Sequence, residues 1–335
     1  MPDLSRTAVL LLAHGTPDTL DEIPQYLSNV TGGRPLPDAA VEEIRHRYAL
    51  IGHSPLTEIT LAQGRLLGEQ IGVPVYVAMR NWKPYIADVV GQMRSDGVTL
   101  AVAICLAPQN SRTSVGLYRR AVFTAAEEAM AIDFIEGWAD HPLLADAFAE
   151  RLSPLWQQMS KDYGEPVPVL FTAHSVPCRT VQTGSASPPS SEGSARSSSI
   201  SAIGPDPYPV EAKGTASLVA SRVAGLPADR WFFAFQSQGM SGGPWIGPTV
   251  EDTLTAIRQQ GYRAVILQPI GFLCDHVEIL FDVDILFREF AAARGMKLYR
   301  AESLNDSPLF VRAVADLAKT RLAAMSPVTS GGIKS

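Results

Sequence analysis

The run Thr7-Ala8-Val9-Leu10-Leu11-Leu12-Ala13 leads into His14-Gly15-Thr16-Pro17. Much later, Val167-Pro168-Val169-Leu170-Phe171-Thr172-Ala173 leads into His174-Ser175-Val176-Pro177. Both are apolar runs that close on Ala-His-x-x-Pro. A strand without polar alternation is buried on both faces, the environment inside a parallel sheet covered by helices. A chain that carries this pattern twice is expected to repeat one α/β plan.

The echo continues downstream. Pro84-Tyr85-Ile86-Ala87-Asp88 opens a helical pattern that runs to Arg94 and breaks at Gly97, followed by the strand Leu100-Ala101-Val102-Ala103-Ile104. Pro248-Thr249-Val250-Glu251-Asp252 opens a matching helix that runs to Arg258 and breaks at Gly261, followed by Ala264-Val265-Ile266-Leu267. Proline near a helix start and glycine just past its end are the expected punctuation. Val73 to Ala78 and Trp231 to Phe235 supply the intermediate strands. The pattern predicts two similar Rossmann-like halves, each a parallel sheet flanked by helices, over residues 1–150 and 151–325. The cleft between them should lie at the carboxyl ends of the strands.

Residues 182–205 are dominated by Ser, Gly and Pro and cannot bury enough apolar surface to order themselves, so a flexible insertion in the second half is expected. Residues 308–324 predict a final amphipathic helix, and 326–335 a frayed tail.

A hydrophobic content of 46% supports a sizeable core. The net charge of −6, with no basic cluster longer than Arg119-Arg120, argues against nucleic acid as a partner. No apolar run approaches the ~18–20 residues of a membrane span, and the polar start offers no signal peptide. A cytoplasmic protein is expected, with room for a peripheral visit to a membrane surface, and a monomer. The three cysteines, Cys105, Cys178 and Cys274, have no metal-ligand spacing, so no iron–sulfur cluster is expected and buried free thiols are.

A lone histidine after a strand is more often a satisfied loop residue than a reactive one. His174 has a counterpart, His14, at the matching place in the other half, and the pair should meet at one cleft. The segment Phe272 to Asp284 holds a denser cluster. As an α-helix it would align Asp275, Glu278 and Asp282 on one face. The helix dipole accounts for acids in a first turn but not for a like-charged column extending further. Such a column points to a path for protons or a divalent metal, and oxygen with imidazole donors suits Fe²⁺ and related first-row ions. Ser54-Pro55 is placed to cap a helix and to bind an anionic group at its start. The Gly-rich Gly239 to Trp245 lacks the lysine of a phosphate-binding loop.

These residues resemble the ferrochelatases, in particular those of Gram-positive bacteria that act on coproporphyrin. The matching stretches are AHGTP at 13–17, RYALIGHSPL at 47–56, CLAPQNS at 105–111, TAHSVP at 172–177, DPYP at 206–209, FQSQGMSGGPWIGPTVEDTL at 235–254 and PIGFLCDHVEILFDVD at 269–284. They cover nearly the whole chain, and AHSVP and FLCDHVE are the specific ones. The resemblance implies a class II chelatase-like fold around a porphyrin cleft, and Fe²⁺ as substrate with no other cofactor. Coproporphyrin III or protoporphyrin IX would be the other substrate. By position, His174 and Glu278 resemble the family's essential pair and Asp282 the next carboxylate on a line leading outward, so these three are the candidate metal ligands. Arg47, Ser54 and Tyr118 match positions near the porphyrin carboxylates, and His14 stands on the opposite face. The outer end of the acidic line falls on Leu286, and Thr31-Gly32 replaces an expected Arg pair.

Metal insertion needs a bent macrocycle, a base for two pyrrole protons and stepwise loss of water from Fe²⁺. His174 is read as the proton acceptor in preference to the first metal ligand, with Glu278 holding its tautomer or passing the proton to Asp282. The competing readings are a sirohydrochlorin-type cobalt or iron chelatase and a non-enzymatic tetrapyrrole or metal carrier. A hydrolase built on Ser175 lacks a nucleophile elbow.

Overall fold

The structure is a computed structural model and describes residues 6–182, 205–238 and 243–325. The Ser-rich stretch from 183 to 204, most of the Gly-rich loop and the tail lie outside the described residues.

The first half holds strands β1 (Thr7–Ala13), β2 (Val75–Met79), β3 (Leu100–Cys105) and β4 (Ala131–Ile135) in one parallel sheet of order β2-β1-β3-β4. The second holds β5 (Val169–His174), β6 (Trp231–Gln236), β7 (Ala264–Pro269) and β8 (Lys297–Arg300) in the order β6-β5-β7-β8, again parallel. The two orders are the same topology, as the repeated pattern requires. Every residue of β1 is buried, and β5 is buried up to its last residue, His174, so continuous apolarity meets its physical cause. In each sheet the chain leaves the central strand in one direction and returns to its other side. The switch point falls beside the carboxyl ends of β1 and β5, where a ligand crevice forms in open α/β sheets.

The helices are α1 (Ile23–Thr31), α2 (Asp38–Ile51), α3 (Leu56–Ile71), α4 (Ile86–Ser95), α5 (Val115–Ala126) and α6 (Pro142–Tyr163), then α7 (Cys178–Gln182), α8 (Tyr208–Ala220), α9 (Val250–Gln259), α10 (Arg288–Ala292) and α11 (Pro308–Ala324). Local sequence explains their ends. The Thr249 hydroxyl accepts from Asp252 N at the start of α9, and Ser307 does the same for Phe310 N at the start of α11. The helix α6 starts on Pro142 and stops at Gly164, whose φ of 72° suits glycine.

One core runs through both halves. It joins Val9, Leu11 and Val102 of the first sheet to Val169, Phe171 and Ile266 of the second through Phe148 and Leu152 on α6 and Phe310 and Val314 on α11. The Trp138 and Phe310 rings stack at 6.3 Å. The final helix packs on α3 as well as α6, so the end of the chain clamps the first half to the second. The position between residues 150 and 151 lies inside α6.

The segment after β7 departs from the expected α-helix. Glu278–Phe287 is a π-helix that continues into α10. Its i→i+5 bonding widens each turn, so the face that an α-helical spacing would align is redrawn. The expected column of three acids on one face is therefore corrected. Asp275 precedes the helix and turns away to Arg300 Nη1 at 3.1 Å, Ser303 Oγ at 2.7 Å and Asn305 Nδ2 at 3.0 Å. Arg300 also meets Asp284 at 2.9 Å. A guanidinium with two carboxylates attracts Asp275 more strongly than a stack of like charges would.

Candidate active site

Two strand ends and the segment leading into the π-helix build the site. His14 follows β1 directly and His174 ends β5. Each loop beyond must hug its neighbour. At Gly15, with φ of 85°, an added Cβ would come 2.9 Å from Trp82 Cβ and from its backbone N. At Gly271, just past β7, an added Cβ would lie 3.0 Å from Ala173 Cα, so glycine lets that turn pass beside the strand that carries His174.

Between the halves lies a cleft of about 380 Å³, a size typical of small-molecule sites. His14, Tyr26, Tyr48 and Trp245 are among its walls, together with His174, Phe272, His276 and Glu278. Ser54, Gln63, Arg80 and Tyr118 face it from the first half. The Tyr26, Tyr48 and Trp82 rings cluster with Ile23 and Leu27, against which Val277 of the second half packs.

Glu278 sits between two histidines. Its Oε1 is 3.2 Å from His174 Nε2 and its Oε2 is 3.2 Å from His276 Nε2. The His174 Nδ1 faces the Ser175 carbonyl and Tyr208 Oη donates to the His174 carbonyl at 2.8 Å. With acceptors at both ring nitrogens, His174 is satisfied as the imidazolium. Burial alone would lower its pKa, but the Glu278 charge and hydrogen bond outweigh it and push the ring up to about 8. Burial would raise Glu278. The His174 charge and the hydrogen bonds from both histidines hold it well below the usual carboxylate range.

His14 has the opposite surroundings. Its Nδ1 lies 3.2 Å from the Gly15 carbonyl and 3.2 Å from Tyr26 Oη, and its Nε2 is 2.8 Å from Asn81 Nδ2. An acceptor on one side and an amide donor on the other suit a neutral ring. Burial and the Arg80 charge push its pKa down to about 4. The two repeat-related histidines are thus pushed in opposite directions, His14 toward the neutral ring and His174 toward the imidazolium.

Asp282 lies further along the π-helix and is 5% exposed. Burial and the Glu278 charge push its pKa up to about 6, against Ser237 and Arg47. Ser237 Oγ donates to Asp282 Oδ2, and Arg47 Nη1 is 3.4 Å from Oδ1. Arg47 is not among the residues that line the cleft. Tyr118 lines it, buried beneath the Arg80 guanidinium at 5.2 Å. Ser54 lines it too, at 1% exposure. Its hydroxyl does not cap α3, contrary to the expectation from Ser54-Pro55, because Pro55 takes the N-cap position. The Oγ is left buried without a protein partner.

His276, Arg80 and Trp245 belong to the site as well, and Arg80 is the one that no sequence motif marked. Arg80 had a signal in hindsight, as a basic residue directly after β2 at the carboxyl edge of the sheet. Cys274 lines the cleft as a thiol, since burial pushes it up to about 12. Among the described residues, no group of three or more His, Cys, Asp or Glu side chains is arranged to hold a metal ion. No helix among them is long and apolar enough to cross a membrane.

The ferrochelatase family model matches residues 6–322. The chain belongs to the ferrochelatase family. It is an enzyme, a lyase that inserts ferrous iron into a porphyrin in heme biosynthesis. Its sequence is 64% identical over 317 residues to the ferrochelatase of Acidobacterium capsulatum, covering 95% of each chain. It is 32% identical to the coproporphyrin III ferrochelatase of Geobacillus thermodenitrificans, covering 94% of this chain and 96% of the other. Among solved structures it is similar in fold to SirB from Bacillus subtilis with Fe³⁺, at a TM-score of 0.53, 12% identity and 96% coverage of both chains. That likeness bears out the class II chelatase-like fold that the family resemblance implied.

Proposed function

We propose that His174 takes the pyrrole protons during Fe²⁺ insertion and passes them through Glu278 toward Asp282. The 3.2 Å contact between His174 Nε2 and Glu278 Oε1, inside the cleft, carries this reading. A base works best with a pKa near the working pH, and about 8 is near enough. The resting imidazolium must first release its proton. Glu278 is too strong an acid to keep one, whereas Asp282, at about 6, is a better stopping place. His174 and Glu278 are also the groups that would meet Fe²⁺ once the proton has gone, with Asp282 beyond them.

The porphyrin lies between the His174 wall and the His14 wall. His14 faces the opposite side of the macrocycle, and it becomes a ligand for iron only if its Nε2 leaves Asn81. Ser54, with its free hydroxyl, and Tyr118 receive substrate carboxylates on the first half, and Arg80 supplies positive charge there. Arg47 stands further out, on Asp282.

Coproporphyrin III is the preferred substrate over protoporphyrin IX in this reading. It is the more carboxylate-rich of the two, and Ser111, Thr113 and Ser114 add hydroxyl groups to the cleft beside Tyr118 and Arg80. The names of the relatives near 30% identity point the same way. Initial rates of Fe²⁺ insertion into the two porphyrins, measured side by side, test it. A higher kcat/KM for coproporphyrin III is expected, and a higher value for protoporphyrin IX would overturn the substrate assignment. His14→Ala should change the absorbance of bound product, and an unchanged spectrum would remove His14 from the opposite face.

A further inference from the structure

Arg47 belongs to α2 in the first half, yet its guanidinium is spent on the second. It lies 5.0 Å over the Phe281 ring and reaches Asp282 Oδ1 at 3.4 Å. Its Nε is held by Glu43 Oε1 at 2.9 Å, one helical turn back. One guanidinium therefore bridges two carboxylates from different halves. The second oxygen of Asp282 accepts from Ser237, so both of its oxygens are engaged. Further along the same helix, Leu286 is 40% exposed and adds no carboxylate.

A divalent cation approaching Asp282 from outside thus meets a positive charge already seated between the two acids. A proton does not need a vacated coordination place. It needs an oxygen lone pair and a hydrogen-bonded neighbour, which Asp282 has. We propose that Arg47 is a positioning residue that fills the cation place between Glu43 and Asp282, keeping divalent metal off Asp282 and leaving that carboxylate to relay protons. Fe²⁺ then reaches the inner pair from the porphyrin cleft. The proposal rests on His174 and Glu278 being the working pair. It assigns Arg47 a task at the rear of that pair, and it withdraws Asp282 from the candidate ligands.

The test uses the full chain and Mn²⁺ alone, with binding followed by electron paramagnetic resonance. Wild type and Asp282→Asn should bind Mn²⁺ alike. Arg47→Gln should gain a site at least about tenfold tighter, because two carboxylates then face one empty place suited to an oxygen-liganded ion. Arg47→Lys should not gain that site, and Arg47→Gln combined with Asp282→Asn should lose it. Binding to wild type that disappears in Asp282→Asn would overturn the proposal, even if Arg47→Gln failed to fold. A folded Arg47→Gln with no gain would also overturn it. Failure of the inner-pair reading has a separate signature, undiminished turnover in His174→Ala, which leaves the Mn²⁺ pattern untouched.

Discussion

His174 Nε2 lies 3.2 Å from Glu278 Oε1, and the contact joins the end of a strand to the first residue of a π-helix. Its charge state links stability to pH. The folded pKa of His174, about 8, is above the ordinary histidine value of 6.5, raised by the Glu278 carboxylate against the effect of burial. Its contribution is therefore fully present below the unfolded value and is lost as pH rises through the folded one. Urea unfolding of wild type and His174→Gln should show the difference. At about pH 6 the wild type should gain on the order of 1 kcal/mol more from this residue than at about pH 9, after allowance for solvent screening. An equal difference at both values would mean that the ring is not held as the imidazolium.

Asp282 predicts an acid limb. Its pKa is raised to about 6, so it accepts protons poorly below that pH and well above it. The rate of metal insertion in wild type should climb as pH rises through about 6. Asp282→Asn should flatten that limb and lower kcat by roughly a hundredfold, the lower range for loss of acid–base assistance. A mutant profile that keeps the limb would place the titration elsewhere.

Ser54 separates binding from stability. Its buried hydroxyl has no protein partner, so Ser54→Ala breaks no internal bond and should leave the thermal melting point nearly unchanged. A hydrogen bond to a substrate carboxylate is worth about 1.5–3 kcal/mol, so KM for the porphyrin should rise about tenfold or more. An unaltered KM would remove Ser54 from the carboxylate contacts.

The Arg300 cluster is the structural anchor for the segment that bears His276 and Glu278. Arg300→Met would strip the cation from Asp275, whose side chain is 21% exposed, and leave Asp284 to Arg288 alone. Destabilisation of about 3 kcal/mol is expected from leaving the Asp275 charge without its cation, read from chemical denaturation. A loss below about 1 kcal/mol would show that water takes over for the guanidinium.

The fold was legible because parallel strands buried on both faces write themselves as unbroken apolar runs, and because the chain does so twice. His14 and His174 were legible for the same reason, as the residues at matching strand ends. Glu278 and Asp282 were found as acids in one short segment, but their geometry was not. A 3.6-residue periodicity cannot announce an i→i+5 ladder, and Asp275 left the expected column for Arg300, which is distant in sequence. The link between Arg47 and Asp282, 235 residues apart, is likewise a product of the folded halves meeting. Ser54 shows a third kind of miss. Its residue type suits a cap, but the proline beside it took the place.

The central claim is that His174 receives the porphyrin protons. Stopped-flow absorbance of Fe²⁺ insertion by His174→Ala, with porphyrin binding measured in the same samples, tests it most directly. Porphyrin binding within a few-fold of wild type and an insertion rate lower by at least about a hundredfold are expected. Insertion at close to the wild-type rate would contradict it.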